Sequence, residues 1–244
     1  MRKMPSIGVV LLLLTAGCMG VGLDGASYDA PPAVVGDNVA EDNQYKLSGV
    51  NEFEMNRTVN ISENRQYNIN ARNWVTTYQK KGAISPDVTS ETIENETLGM
   101  FAVVSTPSVE IAGTELNPLV KTPMGEVLKR VTQESENLEV HEKVGESNVT
   151  HKQTGQNVTV EKYDATVALS ESGVQTETYI HSAVVKTEDA VLVTIGMYPA
   201  QVDDEAAILD MIQSVETTEE PPEVDNSTST DYNTNTTDYN NSSE

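Results

Sequence analysis

Cysteine is almost missing from this chain: Cys18 is the only one in 244 residues. A lone thiol excludes internal disulfides and any metal site built on paired thiolates. Positive charge is also scarce, with 15 Lys and Arg against 38 Asp and Glu and a net charge of −23. A surface of that sign repels nucleic acid and anionic lipid, which removes both as partners. Aromatic residues are few, with two Phe and a single tryptophan, Trp74. Histidine occurs three times, at His141, His151 and His181. The run His141-Glu142-Lys143-Val144-Gly145 begins like a zinc-protease helix, but Gly145 stands where the second histidine ligand is required. No Gly-x-Ser-x-Gly elbow, Ser-x-x-Lys pair, Gly-Lys phosphate loop or Asp-x-Asp-x-Asp-Gly calcium loop occurs. The expectation is a noncatalytic protein with no cofactor and no bound metal. Acid pairs such as Asp203/Asp204 and Glu219/Glu220 then read as solvated charge or helix caps.

The single cysteine sits in an informative place. Arg2 and Lys3 precede an apolar run, Ile7 to Leu14, followed by the small residues Ala16 and Gly17 and then Cys18. That order is the grammar of a secretory signal peptide. Leu14-Thr15-Ala16-Gly17-Cys18 resembles a lipobox, with Thr15 where Leu is usual. The resemblance implies cleavage before Cys18 and lipid on its thiol, and two acyl chains give the stable form of such an anchor. Two alternatives stay open, an uncleaved membrane anchor and simple cleaved secretion. Met4 to Leu23 carries no charge, yet Pro5, Gly8, Gly17, Gly20 and Gly22 dilute it as a spanning helix. All three outcomes place the rest of the chain on the extracytoplasmic side, with a membrane partner through Cys18 if it is lipidated.

The acidity and scarce lysine resemble proteins of salt-loving organisms. At molar salt the Debye length is about 3 Å, so repulsion among these carboxylates is largely cancelled. Nine Asn-x-Ser/Thr sequons, at Asn56, Asn60, Asn95, Asn148, Asn157, Asn226, Asn235, Asn240 and Asn241, are candidate N-glycosylation sites for an exported chain.

Composition divides the chain into a signal segment (1–17), the lipobox cysteine with a Gly-rich tether (18–26), a globular domain (27–216) and a Thr/Asn/Ser/Asp-rich tail (217–244). The tail repeats Thr-Asp-Tyr-Asn at 230–233 and 237–240 and holds almost no aliphatic residue, which predicts disorder. Within the domain, Tyr163, Ala165, Val167 and Leu169 alternate with smaller or polar neighbours as in a half-buried strand. Further strands are expected over 98–106, 176–186 and 190–198, with a hairpin over 50–61 and 65–80. A change of apolar phase between Ile69/Ala71 and Trp74/Tyr78 suggests a bulge. Helices are expected after Thr122-Pro123, after Asp203-Asp204 with Ile208, Leu209, Ile212 and Val215 on one face, and over Val39 to Tyr45. Together these predict an α+β fold, an antiparallel sheet packed by helices. Trp74, Tyr67 and Tyr78 read first as core and second as a ligand-stacking platform.

Three stretches carry a family resemblance: SYDAPPAVVGDN, LGMFAVVSTPSVEIAGTELNPL and VLVTIGMYPAQVDDEAAILDMIQSVE. They resemble a family of haloarchaeal surface lipoproteins known only as a domain of unknown function. The last stretch is also similar to the Mog1/PsbP/LpqN-like group, which implies an α/β/α sandwich and a noncatalytic, envelope-associated protein. The resulting expectation is a lipid-anchored surface module that binds an envelope protein or small ligand. A small solute-binding lipoprotein of a transporter is the rival, and a surface hydrolase the more distant one.

Overall fold

The computed structural model describes residues 26–36, 38–62, 65–84, 93–111, 114–115, 117–133, 137–169 and 174–224. The signal segment, Cys18 and the sequons at Asn226, Asn235, Asn240 and Asn241 lie outside the described residues. The described chain runs β1 (Ala26–Asp29), β2 (Ala33–Val35), α1 (Val39–Asp42), β3 (Lys46–Ser62), β4 (Arg65–Ile84), β5 (Ile93–Pro107), β6 (Glu110–Ile111) and β7 (Thr114–Glu115). A 3-10 turn at Pro118–Val120 leads into α2 (Met124–Gln133). Then follow β8 (Leu138–Thr150), β9 (Asn157–Leu169), β10 (Val174–Lys186), β11 (Ala190–Pro199), α3 (Glu205–Ser214) and β12 (Val215–Thr217).

Eight strands form one sheet. Its path is β4-β5-β11-β10-β9-β8, with β3 along the outer edge of β4. The other edge of β4 is shared by two strands. Trp74 to Ile84 pair antiparallel with β5, while Ile69 to Arg72 pair parallel with β1. Two small ladders, β2 with β12 and β6 with β7, complete the strands described.

This arrangement corrects the α+β expectation. The protein is mostly β, its sheet is mixed because of β1, and its helices span four, ten and ten residues beside strands of up to twenty. A ten-residue helix is about 15 Å long, so each covers a patch of the large sheet, and no helical layer of an α/β/α sandwich forms. The physical reason lies in the strands. KLSGVNEFEMNRTVNIS and much of its partner RQYNINARNWVTTYQKKGAI are polar, and mutual backbone pairing carries them far past the apolar core.

The core has two parts, one on each face. On the first, Ile208, Met211 and Ile212 of α3 pack with Phe101, Val103, Leu192, Tyr45 and Val35. On the second, Met124, Val127 and Leu128 of α2 pack with Tyr163, Ala165, Ile180 and Val193. The central strand β11 is buried on both faces, whereas β9 changes its buried face midway. In β9, Val158 and Val160 belong to the first part and Tyr163 and Ala165 to the second. β4 also changes its buried face, with Ile69 and Asn73 buried at odd positions but Thr76 and Tyr78 at even ones. No bulge lies there: the register against β3 is continuous from Ile69 to Thr77, and β4 slips instead near Lys80 to Ile84 against β5.

The two larger helices start as expected, but their anticipated caps do other work. The Thr122 hydroxyl donates to the Pro118 carbonyl at 2.8 Å. Asp204 occupies the cap position of α3 without a side-chain cap bond. The boundary drawn at Thr217 falls inside β12, and the Thr218 amide still donates to the Pro32 carbonyl at 2.9 Å.

Candidate functional site

At one end of the sheet, five segments converge on an open groove of about 550 Å³. Its floor and walls include Tyr28 and Asp29 of β1 with the following Pro31 and Pro32, Arg72 and Trp74 of β4, Pro107 at the end of β5, Glu188 and Asp189 in the β10–β11 turn, and Glu219 and Pro221 beyond β12. Each wall is fixed by the backbone. The Ala30 amide donates to the Arg72 carbonyl (3.0 Å), extending the β1–β4 ladder, and the Ser108 amide donates to Asp189 (3.0 Å). Proline has no N–H, so the Pro31-Pro32 pair needs partners only for its carbonyls. Pro31 accepts from the Ser105 hydroxyl at 2.7 Å and Pro32 from the Thr218 amide at 2.9 Å.

Trp74 and Tyr28 are half-buried here. Trp74 is therefore a wall of the groove and not a core residue, whereas Tyr78 is core, its hydroxyl accepting the Val35 amide at 3.0 Å. The side chain of Tyr67 lies outside what is described. Arg72 reaches Glu52 at 3.3 Å and Asp29 at 3.6 Å, all three substantially exposed. Four carboxylates, those of Asp29, Glu188, Asp189 and Glu219, face one guanidinium. The lining is therefore net negative. It offers two aromatic faces for stacking, acceptors for hydroxyl or ammonium donors and one forked cation.

A second polar cluster lies under the N-terminus of α3. Tyr45 donates to one Asp204 oxygen (2.7 Å) and Lys80 meets the other (2.6 Å). Nearby, the His181 ring stacks on Tyr198 at 5.5 Å between centroids, and their Nε2 and hydroxyl share a 3.0 Å hydrogen bond. Lys162 lies 4.0 Å from the Tyr179 ring centroid and pairs with Glu205 at 2.7 Å. Burial drives His181 down to about 4, so it is neutral near pH 7. Burial, reinforced by Glu205 and Asp204, pushes the Tyr198 phenol well above its ordinary value. With His181 1% and Tyr198 2% exposed, the pair is buried, and its hydrogen bond joins β10 to β11.

The other histidines stand apart. His151 is buried in the β8–β9 turn against the Thr154 hydroxyl (2.9 Å) and held low by burial. His141 is exposed on β8 beside Thr166 (2.9 Å). Among the described residues, no three His, Cys, Asp or Glu side chains gather as a metal site, and no helix is long and apolar enough to cross a membrane. Of the sequons described, Asn56 and Asn60 fall in β3, Asn95 in β5, Asn148 in β8 and Asn157 at the start of β9, with Asn56, Asn148 and Asn157 exposed.

A family profile described as Domain of unknown function (DUF6517) matches residues 32–216. The chain belongs to the DUF6517 family. Among curated proteins none matches it. The DUF6517 match begins at Pro32 on the groove wall and ends at Glu216, beside the Thr218 that binds that proline. Sequence reasoning missed Tyr28, Arg72, Asp189 and Glu219 as a group because they come from four separate segments. The available signal was the SYDAPPAVVGDN stretch, which supplies Tyr28, Asp29, Pro31 and Pro32.

Proposed function

We propose that this DUF6517 protein is a noncatalytic, lipid-anchored binding module on the extracytoplasmic face of a halophilic archaeal membrane. The groove around Trp74 is its contact site for an envelope partner. The observation that carries this reading is a half-buried tryptophan and tyrosine in an open, backbone-braced groove, in a chain otherwise poor in aromatics. Burial of such residues costs little order, and they are enriched where proteins meet partners. The net negative lining favours a neutral or cationic surface on the partner. Cys18 precedes Ala26 by eight residues, a reach of at most about 28 Å, and β1 carries Tyr28 and Asp29 into the groove. An anchor on Cys18 thus keeps the site close to the membrane.

The test is crosslinked capture from intact membranes at high salt, comparing wild type with Trp74→Ala. Capture of one dominant partner that is lost in the variant is the expected result, and equal capture by both overturns the groove as the contact. Trp74 is the only tryptophan, so its emission follows titration with that purified partner directly. Intact mass of the mature chain checks the anchor, since an unmodified Cys18 removes the lipidation reading.

A further inference from the structure

Among the described residues, β1 and β3 each pair only with β4 and β8 only with β9; β1 spans four residues, so β3 and β8 are the two long open margins of the sheet. Open edges present unpaired backbone groups to any second strand, and long flat ones are the most exposed to pairing. These are long, 17 and 13 residues. Bulges guard part of each. In β8 the register slips between Val140 and Gly145, and in β3 at Leu47/Gly49 and Asn60/Ser62. Two stretches remain regular, Gly49 to Asn60 and Gly145 to Thr150.

Each unguarded stretch contains an exposed sequon. Asn56 lies in the first, beside Met55, which is 52% exposed. Asn148 lies in the second, just past Val144, which is 44% exposed. The Asn148 oxygen accepts the Thr159 hydroxyl at 3.0 Å, a bond that does not use the Nδ2 nitrogen to which a sugar attaches. Charge along these edges, such as Glu52, Glu54 and Glu146, is the usual deterrent to pairing. At molar salt that deterrent acts over only about 3 Å, whereas a bulky sugar excludes volume at any ionic strength.

We propose that Asn56 and Asn148 carry N-linked glycans that cap the two open edges and keep the sheet from pairing with a second copy of this chain. In the transfer, Nδ2 attacks the anomeric carbon of a lipid-phosphate-linked oligosaccharide. The carbon–nitrogen bond forms as the carbon–oxygen bond to phosphate breaks, the lipid phosphate leaves with that electron pair, and the proton lost from Nδ2 passes to the departing phosphate or to water. The inference rests on the extracytoplasmic reading, since such donors serve exported chains.

The experiment expresses the full chain with its leader in an N-glycosylating halophilic host and maps glycopeptides by mass spectrometry. Sedimentation in detergent at molar salt then compares wild type with Asn56→Gln/Asn148→Gln and with Thr58→Ala/Thr150→Ala. Circular dichroism establishes that the variants fold. The expected result is sugar on both asparagines and a monomeric wild type. Both double variants shift to dimer or larger mass, with new backbone exchange protection in β3 and β8. An exported, lipid-bearing chain with bare Asn56 and Asn148 overturns this inference and leaves the location reading standing. A monomeric, folded double variant overturns the capping role. A chain carrying neither lipid nor sugar overturns both readings.

Discussion

Tyr45 and Asp204, 159 positions apart, share a 2.7 Å hydrogen bond with the phenol as donor, and both are buried. The bond ties the start of β3 to the residue before α3, and Lys80 completes it from β4. Removing either group has a different cost. Tyr45→Phe leaves Asp204 its ion pair and is expected to cost about 1–2 kcal/mol. Asp204→Ala strands a largely buried ammonium and is expected to cost about 3–5 kcal/mol. Denaturant unfolding at high salt checks the order, and a smaller loss for Asp204→Ala contradicts it.

Acid should loosen the same region before the carboxylates titrate. His181 has a folded value of about 4, lowered by burial from its ordinary 6.5. Between those values the unfolded chain binds a proton that the folded chain refuses, so stability falls as pH drops from 6.5 towards 4. The full effect is about 3 kcal/mol, and His151 shifts in the same direction. His181→Gln should therefore flatten the pH dependence of the melting temperature in that window. An unchanged slope would remove His181 as its source.

Close approach under α3 gives a packing prediction. A Cβ on Gly196 would lie 2.5 Å from a methyl carbon of Ile208 and 3.2 Å from the Phe101 ring. Gly196→Ala is expected to cost about 1–3 kcal/mol by overpacking, and Ile208→Ala about 2–5 kcal/mol by leaving a cavity. In contact, the two should not add. The double variant should be more stable than the sum of the single losses, as measured in a double-mutant cycle.

Salt dependence follows from the net charge of −23. Lowering ionic strength from molar to millimolar lengthens screening from about 3 Å to 30 Å or more, exposing carboxylates such as Asp29, Glu188, Asp189 and Glu219 to one another. The expected outcome is a lower melting temperature in dilute buffer by circular dichroism. A melt independent of salt would refute it.

Much of the sheet is legible in the sequence because its central strands are bound by side-chain burial. AVLVTIGMYP and LGMFAVVST are apolar runs that fit only the middle of a sheet, and both are found there. The hairpin arms are less legible. Residues 46–62 are held chiefly by pairing with β4, which leaves no apolar period to read. The fold class is hard to read for a related reason. The stripes of α2 and α3 are strong local signals, but their length reveals little about how large a sheet they must cover. The groove is the least visible, because Trp74 alternates like a core residue and its exposure depends on where β5 and β1 each end along β4.

That junction also has a mechanical side. A tension transmitted from a tether on Cys18 enters the domain at Ala26 and runs along β1, whose partner β4 lies parallel to it. Pulled along its axis, β1 shares the load among Ala26, Ser27, Tyr28 and Asp29 in shear, where an end-on hairpin would open one rung at a time. With Cys18 anchored as proposed, pulling on the domain would strain first the strand that carries Tyr28 and Asp29, coupling the shape of the groove to force on the anchor.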